Sequence, residues 1–217
     1  EAELQGAPMF VGEWGFPTFD STDASAEEQL KYTRLYLETA EVFDRLGVGT
    51  IKAWFNGNRT KQNLFSGGPS TWAIFSDAKG VGTVERKYIT DVIARPYPQA
   101  IAGDIQSFRF DFAARTLEVA LRTDNRKGES RVFVGADRHY PDGFSVICGD
   151  ELVLCHNPRN SRGLEVVSAG PRANPADFIW DEFRQHLVIR RWPVDGADLT
   201  LTILPGLSRP DPATAPR

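Results

Sequence analysis

The first hundred residues carry a strand–helix–strand pattern that restricts the folds open to this chain. A short apolar run from Met9 to Val11 precedes a helical pattern over about Ala26 to Leu46, and a strand-like run from Val48 to Phe55 follows at once. This order implies a right-handed parallel crossover. A further helical pattern covers Val84 to Ala94 and ends at a proline-rich junction. The pattern therefore predicts two strand–helix units of an α/β fold.

The sequence contains start and stop signals for the first helix. Ser25 and Glu28 form a capping box, because a serine and a glutamate three residues apart can each bond the other's amide. Gly47 is typical of a helix stop. Between them, apolar residues recur at helical spacing: Leu35, Val42, Phe43 and Leu46.

From Ile101 onward the pattern changes to short strands separated by turn residues, which favours an antiparallel β-sandwich. Thr116 to Arg122 alternates apolar and polar residues, as expected of a strand with one solvated face. The candidate strands are Ile105–Asp111, Thr116–Arg122, Arg131–Val134, Phe144–Cys148, Leu152–His156, Leu164–Val167, Leu187–Trp192 and Leu199–Leu204.

Two parallel strands cannot form a stable domain alone, because both faces and both edges of their sheet stay uncovered. About six further strands must then come from an upstream segment or from another chain. The sequence thus predicts the C-terminal portion of a longer enzyme. We expect residues 1–100 to be part of its catalytic domain, residues 101–206 a β-sandwich and residues 207–217 a flexible tail.

Composition excludes several classes of protein. The 217 residues are 41% apolar and 25% charged, which is ordinary for a folded protein. A formal net charge of −4 argues against a general nucleic-acid binder. No apolar run reaches the roughly 20 residues needed to cross a bilayer. No signal-peptide pattern follows Glu1, so we do not expect Glu1 to be the native start.

Cysteines and histidines give little sign of a metal or redox site. The spacing of Cys148 and Cys155 allows a disulfide across a hairpin in an oxidising compartment, or two buried thiols. His139, His156 and His186 lack metal-ligand spacing with one another and with the cysteines. We predict no metal and no cofactor.

Glu13 is the leading candidate for a catalytic residue. It ends a buried strand, lies between Gly12 and Gly15, and is followed by Trp14. A carboxylate at such a position is costly to keep charged unless hydrogen bonds or a function maintain it. The alternative is an exposed turn glutamate without a function.

Three motifs together resemble one known family. Residues Phe10 to Gly15, then Ala53 to Phe55, then Ala94 to Gly103 look like the end of an endoglycoceramidase, a retaining glycoside hydrolase of family 5. The resemblance implies the last two strand–helix units of a (β/α)8 TIM barrel followed by an antiparallel β-sandwich. It also implies that Glu13 is the nucleophile and that the arginine–proline–tyrosine–proline stretch joins the two domains.

The chemistry of retaining hydrolysis leaves one group missing. Such enzymes need two carboxyl groups about 5–5.5 Å apart, a nucleophile and an acid/base. In the family the acid/base glutamate follows an asparagine, and this sequence has no Asn-Glu pair. Asp20, Asp77 and Glu85 are present, but Asp20 is expected to belong to the loop and Glu85 to start a helix. The acid/base residue is therefore expected upstream.

Residues around the second strand are candidates for binding sugar. Trp54 offers an indole face to a sugar ring, with barrel packing as its alternative role. Lys52 and Asn56, with Asn58 and Arg59, suit sugar hydroxyls and a galactosylceramide-type preference, or simply form a solvated loop. Trp14, beside Glu13, is a further candidate for contact with substrate. Trp72 and Phe75 are expected to pack the long loop onto the barrel, with lining of the lipid side of the cleft as the alternative.

The resemblance implies hydrolysis of the β-glycosidic bond between oligosaccharide and ceramide in a glycosphingolipid. Two alternatives stay open: a β-glucosidase acting on glucosylceramide or steryl glucosides, and a carbohydrate- or lipid-binding module without catalysis. We expect the upstream barrel portion as partner, as the same chain or a separate one. We also expect transient contact with a membrane surface, and a secreted or extracellular location.

Overall fold

The computed structural model describes residues 9–16, 25–53, 73–76, 84–158, 164–165 and 172–206. The chain divides into two compact units, Glu1–Ala94 and Arg95–Arg217. Within the described ranges, no helix is long and apolar enough to cross a membrane.

The first unit contains a parallel strand pair connected through a long helix. Its elements are β1 (Phe10–Trp14), α1 (Ala26–Leu46), β2 (Gly49–Lys52), β3 (Phe75–Ser76), β4 (Val84–Glu85) and α2 (Lys87–Ile93). Strands β1 and β2 pair in parallel, with Val11 opposite Thr50 and Trp14 opposite Lys52. Strands β3 and β4 form a separate antiparallel pair.

Helix α1 has the predicted bounds. The Glu28 amide donates to Ser25 Oγ at 3.3 Å, and the Ser25 amide donates to Glu28 Oε2 at 2.8 Å, so the capping box is confirmed. Gly47 ends the helix at φ 62°, a left-handed conformation that glycine adopts without strain. Tyr36 and Ala40 form the buried side of the helix.

Helix α2 is shorter than predicted. The expected start at Val84 is wrong, because Val84 and Glu85 pair with β3 as an extended strand. Glu85 therefore precedes the helix, and its carboxylate accepts a hydrogen bond from Thr90 Oγ1 at 2.5 Å. The buried Arg86 stands at the helix start and donates from its guanidinium to the carbonyl of Ala73.

The second unit is a two-sheet antiparallel sandwich, as predicted. One sheet has the order β11-β10-β9-β14-β7-β6 and the other has the order β12-β13-β8-β5. The elements are β5 (Tyr97–Ala100), β6 (Gly103–Asp111), β7 (Thr116–Thr123), β8 (Ser130–Phe133), α3 (Ala136–His139), β9 (Phe144–Cys148), β10 (Glu151–His156), β11 (Leu164–Glu165), β12 (Phe178–Asp181), β13 (His186–Ile189) and β14 (Asp198–Pro205).

Alternating side chains build the sandwich core. Leu117, Val119 and Leu121 on β7 are fully buried, while Glu118 and Arg122 of the same strand are exposed. Leu201 and Ile203 on β14 join the same core. Burial of each such side chain stabilises the fold by about 1.5–3 kcal/mol.

The cysteines are free, so the disulfide alternative is wrong. In the β9–β10 hairpin, Cys148 lies opposite Glu151 and Cys155 lies opposite Ser145. The register therefore places the two thiols near opposite ends of the hairpin. Both are buried.

Candidate active site

Glu13 lies exposed near the carboxyl end of β1. The next residue, Trp14, packs against α1, with its indole 5.4 Å from the Tyr36 ring and 5.2 Å from the Phe43 ring. The pairing of β1 with β2 shifts register between Val11 and Trp14, and within this stretch Glu13 is exposed whereas Trp14 is half-buried.

The turn after Glu13 is fixed at two backbone positions. The Ala53 amide donates to the Trp14 carbonyl at 2.9 Å, which extends the pairing of β1 and β2. The Phe16 amide donates to the Tyr36 hydroxyl at 3.2 Å. Burial raises the pKa of Tyr36 to about 12, so this hydroxyl stays neutral. The main chain on the carboxyl side of Glu13 is thus held by both β2 and α1.

Lys52 lies opposite Trp14 and is half-buried. Its Nζ lies 5.6 Å from the centre of the Tyr36 ring and donates a hydrogen bond to the Ala53 carbonyl. Burial lowers the pKa of Lys52 to about 8, with the charge of Arg86 acting in the same direction and the Glu13 carboxylate opposing both. An ammonium and a carboxylate therefore share this end of the strand pair.

Gly15 makes room for the Lys52 ammonium. A Cβ added at Gly15 would lie 2.9 Å from Lys52 Nζ and 2.7 Å from the Ala53 carbonyl oxygen. Real Cβ atoms do not approach other heavy atoms so closely. A Cβ added at Gly12, by contrast, would meet no atom of the described residues within 4 Å. Of the two glycines beside Glu13, only Gly15 is required for close packing.

The structure brings three of the five candidate residues to one end of the strand pair: Glu13, Trp14 and Lys52. Trp54 and Asn56 lie outside the described residues. The position of Trp14 against α1 gives its indole a packing role, and contact with substrate stays a prediction. Its Nε1 is buried without a hydrogen-bond partner in the described structure.

Some residues named beside these candidates also lie outside the described ranges: Asp20, Asn58, Arg59, Trp72 and Asp77. Phe75 is described and lies half-buried on β3.

Sequence reasoning missed Tyr36 and Arg86, the two residues that shape the surroundings of Lys52. The helical spacing of Tyr36, Ala40 and Phe43 was a usable signal for the buried side of α1. Arg86 gave no such signal, because its burial depends on the pairing of β3 with β4.

In the described ranges, no group of three or more histidine, cysteine or acidic side chains is arranged to hold a metal ion. The histidines lie in the second unit, where they contact aromatic rings. His156 stacks on Phe144 at 5.0 Å, and His139 meets Phe110 edge to face at 5.1 Å. These contacts indicate packing roles.

Comparison with known proteins gives one family and a consistent set of structures. The model of the glycoside hydrolase family 5 C-terminal domain matches residues 95–203. No curated protein sequence matches the chain.

Endo-glycoceramidase II from Rhodococcus sp., solved as a lactosyl-enzyme intermediate, is 18% identical with a TM-score of 0.56, over 95% of this chain and 35% of that one. The same enzyme in complex with ganglioside GM3 gives 15% identity and a TM-score of 0.57, over 95% of this chain and 34% of that one.

Cryptococcus neoformans sterylglucosidase 1 is 12% identical with a TM-score of 0.55, over 92% of this chain and 29% of that one. At such identities these likenesses concern the fold. The chain spans about a third of the length of the structures it matches.

Proposed function

Because the chain belongs to the glycoside hydrolase family 5 C-terminal domain family, we propose that it is the C-terminal portion of a retaining β-glycosidase in which Glu13 is the nucleophile. The observation that carries the proposal is an exposed carboxylate at the carboxyl end of a parallel strand, followed by a turn that Ala53 and Tyr36 hold in place. Catalytic groups of TIM barrels lie at that end of the strands.

The proposed reaction proceeds in two steps. A Glu13 carboxylate oxygen forms a bond to the anomeric carbon as the bond to the leaving oxygen breaks, and an upstream carboxylic acid protonates that oxygen. The same upstream group then takes a proton from water, which attacks the anomeric carbon and releases Glu13. The chain supplies one of the two required carboxylates.

We further propose that residues 1–100 are the last two strand–helix units of a TIM barrel, followed by the sandwich in residues 101–206. Exposed apolar side chains in the first unit support this proposal. Phe10 on β1 and Ile51 on β2 are 60% and 53% exposed, and Leu30 and Leu46 on α1 are 71% and 60% exposed. Upstream barrel strands and helices, as partner, would cover such surfaces and supply the acid/base residue.

The proposed substrate is a glycosphingolipid, cleaved between oligosaccharide and ceramide. Support comes from the fold shared with an endo-glycoceramidase solved with a ganglioside. In this proposal Trp54 and Asn56, which follow β2 in sequence, contact sugar, and Trp14 and Lys52 line the same end of the strands. A secreted or extracellular enzyme with transient contact to a membrane surface fits such a substrate.

The decisive experiment replaces Glu13 in the full-length enzyme. Glu13→Gln removes the anionic nucleophile but keeps the size of the side chain, so we expect kcat to fall by at least about a thousandfold. Glu41→Gln, an exposed glutamate on α1, is the matched control and should keep normal activity. Near-normal turnover by Glu13→Gln with an unchanged melting temperature would overturn the proposal.

A second candidate is hydrolysis of a steryl glucoside, which the likeness to sterylglucosidase 1 favours. The two activities differ in what they release. An endo-acting enzyme frees an intact oligosaccharide from a ganglioside, whereas a glucosidase frees glucose from a steryl glucoside. Product analysis with both substrates separates them.

A further inference from the structure

The hairpin between β12 and β13 carries an apolar side chain at its apex. Phe183 is 91% exposed, which makes it the most exposed large apolar side chain in the described ranges. The next, Leu30, belongs to the first unit, where upstream barrel helices would cover it. A single exposed apolar residue is ordinary on a protein surface, but the turn that carries Phe183 is held unusually firmly.

Hydrogen bonds within the hairpin fix this turn. The Asp181 carboxylate accepts from the Arg184 amide at 3.0 Å and from the Arg184 guanidinium at 3.0 Å. Gln185 Nε2 donates to the Glu182 carbonyl at 2.8 Å. Phe183 is therefore presented on a preorganised turn, so little conformational entropy of the main chain is left to lose when a partner buries the ring.

A second hairpin of the same unit shows that such a turn does not need a phenylalanine. Between β6 and β7, the Asp111 carboxylate accepts from the Ala114 amide at 2.8 Å, as Asp181 does in the first hairpin. The residue that closes each turn is left-handed, at φ 53° in one and 56° in the other. Counted from the aspartate, Ala113 takes the position of Phe183. The phenylalanine therefore has a role other than formation of the turn.

Both hairpin tips contact α3, so they lie at the same end of the sandwich. Arg115 Nη1 donates to the carbonyl of His139 at 3.4 Å, and Gln185 Oε1 accepts from the Asp137 amide at 3.2 Å. The exposed residues of the two tips are Ala113, Ala114, Arg115, Glu182, Phe183 and Arg184.

The small apolar area of these tips favours a lipid partner over a protein partner. Phe183 is the one large apolar side chain among the six exposed tip residues. A stable protein interface buries roughly 800 Å² on each partner, far more than one ring supplies. A bilayer needs no matching surface, and each apolar side chain that enters it adds to binding. Two arginines and one glutamate nearly balance in charge, so the contact would be mainly apolar.

We propose that the β12–β13 tip is a membrane-contact site at which the Phe183 ring enters the boundary between lipid headgroups and acyl chains. The inference rests on the proposed glycolipid substrate, which lies in such a bilayer, and adds the place at which the enzyme touches it. The Arg184 guanidinium, 68% exposed beside the ring, stays at the level of the headgroups.

The test measures partition of the full-length enzyme onto phosphatidylcholine vesicles by co-sedimentation. Phe183→Ala copies the alanine of the other tip and should lower the partition coefficient roughly tenfold, the scale expected for burial of a phenylalanine side chain. Phe183→Trp keeps an aromatic ring suited to the interface and should bind at least as tightly as the wild type. Ile105→Ala is the matched control, because Ile105 is 44% exposed at the end of β6 away from the tip. Its partition should equal that of the wild type.

Equal partition of Phe183→Ala and the wild type overturns the proposal, and so does a wild type that does not bind these vesicles. Binding that requires added phosphatidylserine and disappears at high salt overturns it too, because such binding is electrostatic. A concentration-dependent dimer that Phe183→Ala fails to form would assign the tip to a second copy instead. Equal melting temperatures of the variants show that the exposed position leaves the fold intact.

Hydrolysis of a soluble aryl β-glucoside separates this failure from that of the proposed function. Activity that Glu13→Gln abolishes, together with unaltered partition of Phe183→Ala, removes only the membrane-contact site. A wild type without glycosidase activity removes the proposed function, whereas the partition of Phe183→Ala still decides whether the tip binds lipid.

Discussion

Asn125 holds the main chain of Trp192 at both of its polar groups. The Trp192 amide donates to Asn125 Oδ1 at 2.8 Å, and Asn125 Nδ2 donates to the Trp192 carbonyl at 3.2 Å. Trp192 is 2% exposed, and its Nε1 donates to the Ala102 carbonyl at 2.9 Å. One asparagine thus fixes the segment that carries a core tryptophan.

Replacement of Asn125 should therefore weaken the sandwich. Asn125→Ala leaves both groups of the Trp192 main chain without these partners, so we expect the free energy of unfolding to fall by about 1–3 kcal/mol. Asn125→Asp keeps the acceptor and loses the donor. Its free energy of unfolding should therefore lie between that of Asn125→Ala and that of the wild type. Urea denaturation measures the series. Equal stability of all three proteins would show that the pair contributes nothing.

His156 should make the sandwich less stable in mild acid. Burial lowers the pKa of His156, whereas in the unfolded chain it titrates near 6.5. The unfolded state then binds more protons in the intervening range, so stability is full above about pH 6.5 and is lost as pH falls through the folded pKa.

The variant His156→Phe keeps a flat ring against Phe144 and removes the titration. The loss of unfolding free energy between about pH 7.5 and about pH 5 should be smaller in this variant than in wild type. An identical loss in both proteins would contradict the role of His156.

Cys148 should resist alkylation in the native protein. Burial raises the pKa of Cys148 to about 12, and the thiolate is the reactive form. We expect iodoacetamide to leave Cys148 unmodified at neutral pH, and to modify both Cys148 and Cys155 in denaturant without reductant. Failure to modify them until a reductant is added would indicate a disulfide, contrary to the register of the hairpin.

The parts of the fold that local sequence determines were predictable. Helix α1 has its cap residues, Ser25 and Gly47, within or next to its own segment, so its bounds could be read directly. The alternation of buried and less buried residues along β7 likewise follows its sequence, because one face of the strand lies against the core.

Elements that depend on distant partners were missed. Strand β5 contains Pro98, which reads as a strand breaker but is tolerated at a sheet edge. Strand β12 is absent from the predicted strands, although its Phe178 lies in the sandwich core. The strand predicted to end at Trp192 stops at Ile189, because the Trp192 amide donates its hydrogen bond to the Asn125 side chain.

The candidate site shows the same limit. Glu13 could be placed at a strand end from its own segment, because the flanking residues are adjacent in sequence. The packing of the Lys52 ammonium against Gly15, Tyr36 and Ala53 could not, since these three residues come from different segments. Its geometry appears only when the strands pair and α1 packs on them.

Strand β14 lies at the middle of the six-stranded sheet, between β9 and β7, although it is the last of these strands along the chain. During synthesis, β7 and β9 leave the ribosome long before Asp198–Pro205 is available to join them. Until then each half of the sheet keeps an unpaired edge, which is a route to aggregation. The sandwich should therefore close late, as β14 emerges, and ribosome-bound chains that lack β14 should be sensitive to proteases.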